Sequence, residues 1–296
     1  MPVRTRLGES RGHLYRSREA KQAAPSGRGI LPEPKVASLP TGMPENLRMP
    51  HAVSHLRSAR LARSAKPFLA RGGFKRERCV ACRLVPSHCM CTLRPALATR
   101  AGVCLLMADI EPLKPSNTGW LVADVVADTF AFGWTRTETD PALLALLSDP
   151  QWQPYVVFPG QYAAPERVVR TVQPPDSLRA DARKKRPLFI LLDGTWSEAR
   201  KMFRRSPYLD RLPVLSLEPD QMSQYKLRRS GRNDHFCTSE VAALCMNLAG
   251  ERVAERTLEA YLAVFTYHYL HAKNQQPIAW DGVDHQRLRE RLACAQ

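Results

Sequence analysis

Leu188-Phe189-Ile190-Leu191-Leu192-Asp193-Gly194-Thr195-Trp196 decides how this chain folds. The apolar run from Leu188 to Leu192 has the length and unbroken hydrophobicity of a strand covered on both faces, and it is too short for a buried helix. It stops on a carboxylate and a glycine, and residues from Ser197 to about Arg205 then read as a helix. The same grammar recurs outward from it. Val103-Cys104-Leu105-Leu106-Met107 is a compact apolar run, followed by Glu111, Pro112, Lys114, Pro115, Ser116, Asn117, Thr118 and Gly119, and then by helical periodicity over 120–130. Tyr155-Val156-Val157-Phe158 is a strand stopped by Pro159-Gly160, and Val214-Leu215-Ser216-Leu217 is a fourth. Two helices follow, from Ser239 to about Leu248 and from about Arg252 to His271. Apolar strands alternating with helices predict an α/β domain, a mostly parallel sheet with helices on both faces. Ligands of such sheets bind beyond the carboxyl ends of the strands, so the loops at 116–119, 159–160 and 193–196 are the candidate site.

Asp193 leaves a buried strand, where partial loss of water disfavours the charged form and makes a carboxylate a usable base. Gly194 permits close approach to the backbone, Thr195 can cap the following helix, and Trp196 offers a flat face to a base or an adenine. A helix-capping turn with a core tryptophan explains the same four residues equally well. Arg200, Lys201, Arg204 and Arg205 give that helix a basic face, and Tyr225-Lys226-Leu227-Arg228-Arg229 is a second basic segment with an aromatic inside it. Cys237-Thr238-Ser239-Glu240 opens the next helix with a hydroxyl cap and an acid in its first turn. Basic clusters interleaved with aromatics suit RNA, where phosphate contact and stacking dominate.

Cys79-x-x-Cys82 and Cys89-x-Cys91 stand upstream of the first strand. Each short pair can aim two sulfurs at one ion, so the four thiolates predict a tetrahedral metal site. Zinc is the default, and an iron–sulfur cluster also takes four thiolates. A redox pair would leave the second cysteine pair unexplained. The net charge of +16 is concentrated in residues 1–78, which hold 17 Lys and Arg against 5 Glu. Prolines scattered among Ser, Gly and Arg make residues 1–70 read as a disordered basic arm, suited to loose attraction to nucleic acid. Within it, His55 to Arg63 reads as a short basic helix against RNA or as a solvated tail. Residues 71–100 form the cysteine module, 101–275 the main domain and 276–296 a tail. No apolar run is long enough for a membrane span and no signal-peptide pattern appears. Reduced thiols clustered as ligands place the expectation in the cytoplasm.

At these residues the chain resembles the DTW-domain family of tRNA-uridine aminocarboxypropyltransferases. The resemblance rests on the two cysteine pairs, Ser116-Asn117-Thr118-Gly119, Phe158-Pro159-Gly160, the D-x-T-W signature at 193–196 with Glu198-Ala199-Arg200-Lys201 after it, Tyr225-x-Leu227-Arg228, and Cys237-Thr238-x-Glu240. They run in the family's order over roughly residues 75–270. One departure is the first loop, Ala108-Asp109-Ile110-Glu111-Pro112, which stands where the family carries a His-Pro pair.

The resemblance implies transfer of the 3-amino-3-carboxypropyl group of S-adenosylmethionine to N3 of a tRNA uridine, in the variable loop in bacterial members, with methylthioadenosine released. It implies a fold related to the SPOUT class, whose cofactor pocket is a trefoil knot. It further implies Asp193 as the base, zinc on Cys79, Cys82, Cys89 and Cys91, and a cofactor pocket drawn from Asn117, Thr118, Pro159, Gly160, Gly194, Thr195, Trp196, Tyr225, Arg228 and Thr238. Arg228 would hold the methionine carboxylate as a bidentate pair. The partner is tRNA, with no membrane and no stable protein partner implied. A SPOUT-like RNA methyltransferase and a non-catalytic zinc-dependent RNA-binding protein are the alternatives.

Overall fold

A computed structural model describes residues 50–65, 77–172, 185–217 and 236–294. Its centre is a sheet of β1 (Gly102–Met107), β2 (Thr129–Gly133), β3 (Trp152–Val157), β4 (Val168–Val169), β5 (Arg186–Asp193) and β6 (Val214–Leu215), in the order β2-β1-β5-β3-β6-β4. Every neighbouring pair is parallel. The helices are α1 (Ala52–Ala62), α2 (Gly119–Val125), α3 (Pro141–Ser148), α4 (Trp196–Arg204), α5 (Thr238–Leu248), α6 (Arg252–Asn274) and α7 (Val283–Cys294). None of the described helices is long and apolar enough to cross a membrane.

The apolar runs are explained by the side-chain alternation of a strand. Val103, Leu105 and Met107 of β1, with Phe189 and Leu191 of β5, face a core shared with α2, α5 and α6. Cys104 and Leu106, with Leu188 and Ile190, face a second core shared with α3 and α4. Both faces are covered, so both sets of positions must be apolar. β5 comes late in the chain yet lies between β1 and β3. The expected knot turns on the path through 218–235, which lies outside the described residues.

Several expectations are corrected. The helical reading of 120–130 fails at its end, because helix α2 stops at Val125 and Thr129–Gly133 is an edge strand, mostly half-buried. Strand β3 begins before its apolar run, at Trp152, and ends one residue short of it, at Val157, while β6 stops at Leu215, two residues short of its run. The segment read as a tail carries α7, whose Leu288 is wholly buried in the first core. The short helix read over 55–63 is present as part of α1, and the disordered reading of the arm fails there, because α1 is anchored by fully buried Val53 and packs on β2 and α2. Residues 1–49 lie outside the described residues.

Candidate functional site

The register places Met107 of β1 directly opposite Asp193 of β5, so the two strands end level. Beyond them the chain parts. The loop after β1 leads to α2 on one face of the sheet, and the loop after β5 leads to α4 on the other. A crevice opens where adjacent connections diverge in this way, and that is where ligands of open α/β sheets bind.

Asp193 is fully buried at the root of this crevice. Its Oδ2 accepts from Asn117 Nδ2 at 2.7 Å and its Oδ1 accepts from Thr238 Oγ1 at 2.7 Å. Its backbone carbonyl accepts from the N–H of Ala108 at 2.9 Å. One residue therefore ties together the loop after β1, the start of α2 and the first turn of α5. Gly119 is required by this knot, since a Cβ there would stand 2.6 Å from Asp193 Oδ2. Asn117 is locked in turn, its Oδ1 accepting from the N–H of Trp120 at 3.0 Å. Thr238 is not the cap of α5. That position is Cys237, whose N–H donates to Glu240 Oε2 at 2.7 Å, leaving the Thr238 hydroxyl to Asp193.

On the other side of the crevice Thr195 caps α4 as expected. Its side chain accepts from the Glu198 N–H, and Glu198 Oε2 accepts from the Thr195 N–H at 2.7 Å, a capping box contributing about 1 kcal/mol. A side chain at Gly194 would be crowded, because its Cβ would meet Glu198 Cβ at 3.0 Å. Trp196 is not a core tryptophan, being 40% exposed. It stacks on Phe158 at 5.5 Å and 13°, Phe158 stacks on Phe203 at 4.5 Å, and Tyr162 meets Trp196 edge-on. Arg200 lies 5.2 Å over the Tyr162 ring. Pro159 and Gly160 turn the chain beside this wall, held by Gly160 N–H donating to Ser216 Oγ at 3.0 Å. Tyr225 and Arg228 lie outside the described residues.

Two further groups at the site escaped the sequence reading. Glu111 is wholly buried, pairs with Lys114 Nζ, and accepts from the same Asn117 amide nitrogen at 3.4 Å. Its signal was its place, an acid after the end of β1 as Asp193 is at the end of β5. Asp109 receives a fork from Arg60 of α1, at 2.7 and 2.8 Å, which ties α1 to the same loop.

The four sulfurs of Cys79, Cys82, Cys89 and Cys91 lie within 4.8 Å of one another. Contacts of 3.4 Å for Cys79–Cys91 and 3.7 Å for Cys82–Cys89 and Cys79–Cys89 approach the spacing of about 3.8 Å that zinc–sulfur bonds of about 2.3 Å impose on a tetrahedron. Hydrogen bonds with Cys82, Cys89 and Cys91 pull Cys79 below its ordinary range, and those with Cys79, Cys82 and Cys89 push Cys91 above it. Thiols this close cannot all ionise alone, and a cation relieves that conflict. The set can hold a metal ion and is compatible with zinc.

A family model described as the DTW domain matches residues 76–270. The match takes in the cysteine cluster, all six strands and most of α6, and leaves α1 and α7 outside. No solved structure matches the chain.

Proposed function

This chain belongs to the DTW-domain family, and we propose that it transfers the 3-amino-3-carboxypropyl group of S-adenosylmethionine to N3 of a tRNA uridine. The observation that carries the reading is the convergence, on Asp193, of the loops that the family's motifs occupy. Asn117, Thr118 and Thr238 fix the backbone of the pocket from its buried side. Gly160, Gly194, Thr195 and Trp196, with Pro159, offer its accessible side, and Tyr225 and Arg228 complete the proposed cofactor set. The exposed Trp196 face suits stacking by an adenine or by the target base. Exposed Lys201 and Arg204 on α4, with Arg205 just after its end, suit tRNA phosphates.

In the reaction, uridine N3 attacks the methionyl carbon next to sulfur. The new C–N bond forms as the C–S bond breaks, its electron pair stays on sulfur, and methylthioadenosine leaves. The sulfonium needs no acid, so a single base for the N3 proton suffices. Asp193 is the proposed base, and each of its carboxylate oxygens has two lone pairs, of which Asn117 takes one on Oδ2 and Thr238 one on Oδ1. Holding the two reactants aligned supplies much of the remaining acceleration. Four thiolates leave no open position on an ion, which supports a structural metal, and their close spacing favours one zinc over a cluster. Such a site belongs in a reducing compartment such as the cytoplasm.

The test is to incubate the full chain with unmodified tRNA and S-adenosylmethionine and to read the nucleoside masses. A uridine heavier by an aminocarboxypropyl group is expected. A uridine heavier by a methyl group makes the protein a methyltransferase, and unaltered tRNA that is nonetheless bound makes it a zinc-dependent RNA-binding protein.

A further inference from the structure

Arg83 directly follows the second cysteine of the first pair and has φ 63°, a left-handed conformation uncommon outside glycine. That turn closes the metal knuckle. The Arg83 N–H donates to the Cys79 carbonyl at 2.8 Å, and the Cys79 N–H donates to the Leu84 carbonyl at 2.8 Å. Arg83 is 2% exposed, and its side chain reaches the loop between β1 and α2. Its guanidinium lies 4.3 Å over the ring of Trp120, the second residue of α2. Nη1 donates to the Lys114 carbonyl at 2.9 Å and Nη2 to the Asn117 carbonyl at 3.0 Å. Nε has no hydrogen-bond partner among the described residues.

A buried cation held by carbonyls and an aromatic face, with one N–H unsatisfied, is a costly way to stabilise a fold. It is an effective way to fix geometry, because the planar fork grips both ends of one short loop. That loop delivers Asn117 to Asp193. We propose that Arg83 is the positioning residue through which the cysteine module sets the 114–118 loop, so that metal binding and the shape of the cofactor pocket are coupled. The proposed function enters only in treating that loop as part of the pocket, and the coupling itself can be measured without it.

The experiment is amide hydrogen exchange on the full chain, as isolated with its metal and after the metal is stripped by a chelator. Wild type is compared with Arg83→Gly, which keeps the left-handed turn, and with Arg83→Lys, which keeps charge but not the fork. Metal content and S-adenosylmethionine affinity are measured beside it. In wild type, stripping is expected to speed exchange of the 114–118 amides on the order of tenfold, the scale of one or two lost hydrogen bonds. Arg83→Gly and Arg83→Lys are expected to show the same acceleration while retaining their metal, and stripping them should add little in that loop. The proposal is overturned if stripping wild type opens residues 79–91 but leaves 114–118 protected. It is equally overturned if a metal-loaded Arg83 variant protects the loop as wild type does. Should the variants fail to fold, the wild-type comparison decides alone. Faster exchange with no cofactor binding in any form would spare the coupling and defeat the proposed function.

Discussion

At Asp193 two roles compete, and substitution separates them. Asp193→Ala removes the acceptor for both Asn117 and Thr238, leaving the buried Asn117 amide only its longer bond to Glu111 and the half-buried Thr238 hydroxyl without Asp193, a loss of about 1–3 kcal/mol for the buried donor. It is expected to lower the melting temperature and cofactor affinity together. Asp193→Asn keeps the shape, since its amide oxygen can face Asn117 while its NH2 donates to the Thr238 hydroxyl. With the base gone but the knot intact, turnover should fall by about 10²–10⁴ with cofactor affinity nearly kept, and higher pH should partly restore it. If Asp193→Asn loses affinity and stability as Asp193→Ala does, the carboxylate only holds the loops. The strand-end carboxylate, the cap at Thr195 and the cysteine set were legible because each is a local pattern. The clamp was not, because its partners lie 76 and 45 residues away. Arg83 was hidden in the same way, behind an arginine beside a metal pair that reads as a solvated charge.

Among the elements, the C-terminal pair α6 and α7 is joined by an unusual contact. His268 Nε2 lies 2.8 Å from His285 Nε2, with His268 wholly buried and His285 nearly so. His268 Nδ1 bonds the carbonyl of His88, and His88 Nε2 bonds that of Gln276. The cysteine module and both helices therefore meet at one point. Burial, with help from the neighbouring histidines, pushes the His268 imidazole down to about 4, and burial lowers His285 too, against the pull of Asp284 and Asp281. The folded value lies below the unfolded one, so the stability is complete above about pH 6.5 and is lost as pH falls from there toward 4. The expected loss over that window is on the order of 3 kcal/mol. Melting temperature measured against pH, with metal content followed at each point, should fall in wild type. It should fall less in His268→Gln, and equal slopes would remove His268 from the effect. Elements like α7 escape sequence reading for a physical reason. Among its many charged residues only Leu288 and Leu292 make an apolar stripe, too narrow to distinguish a packed helix from a solvated tail.

For the molecule as a whole, the central strands were readable and the edges were not. β1, β3 and β5 are covered on both faces, and that coverage writes itself as continuous apolar sequence. β2 and β4 are short and half-exposed, so their composition overlaps with that of loops. The strand order was not legible either, because placing β5 between β1 and β3 depends on pairings with no local signature. Yet that order makes the site, since it sets the loops after β1 and β5 side by side and sends them to opposite faces. The central claim, that this crevice directs the sulfonium's aminocarboxypropyl arm to a tRNA uridine, has one direct readout. S-adenosylmethionine incubated with the protein and unmodified tRNA should yield methylthioadenosine, in proportion to uridine modified and only when tRNA is present. Formation of S-adenosylhomocysteine instead would mean that methyl was the group moved and would contradict the account.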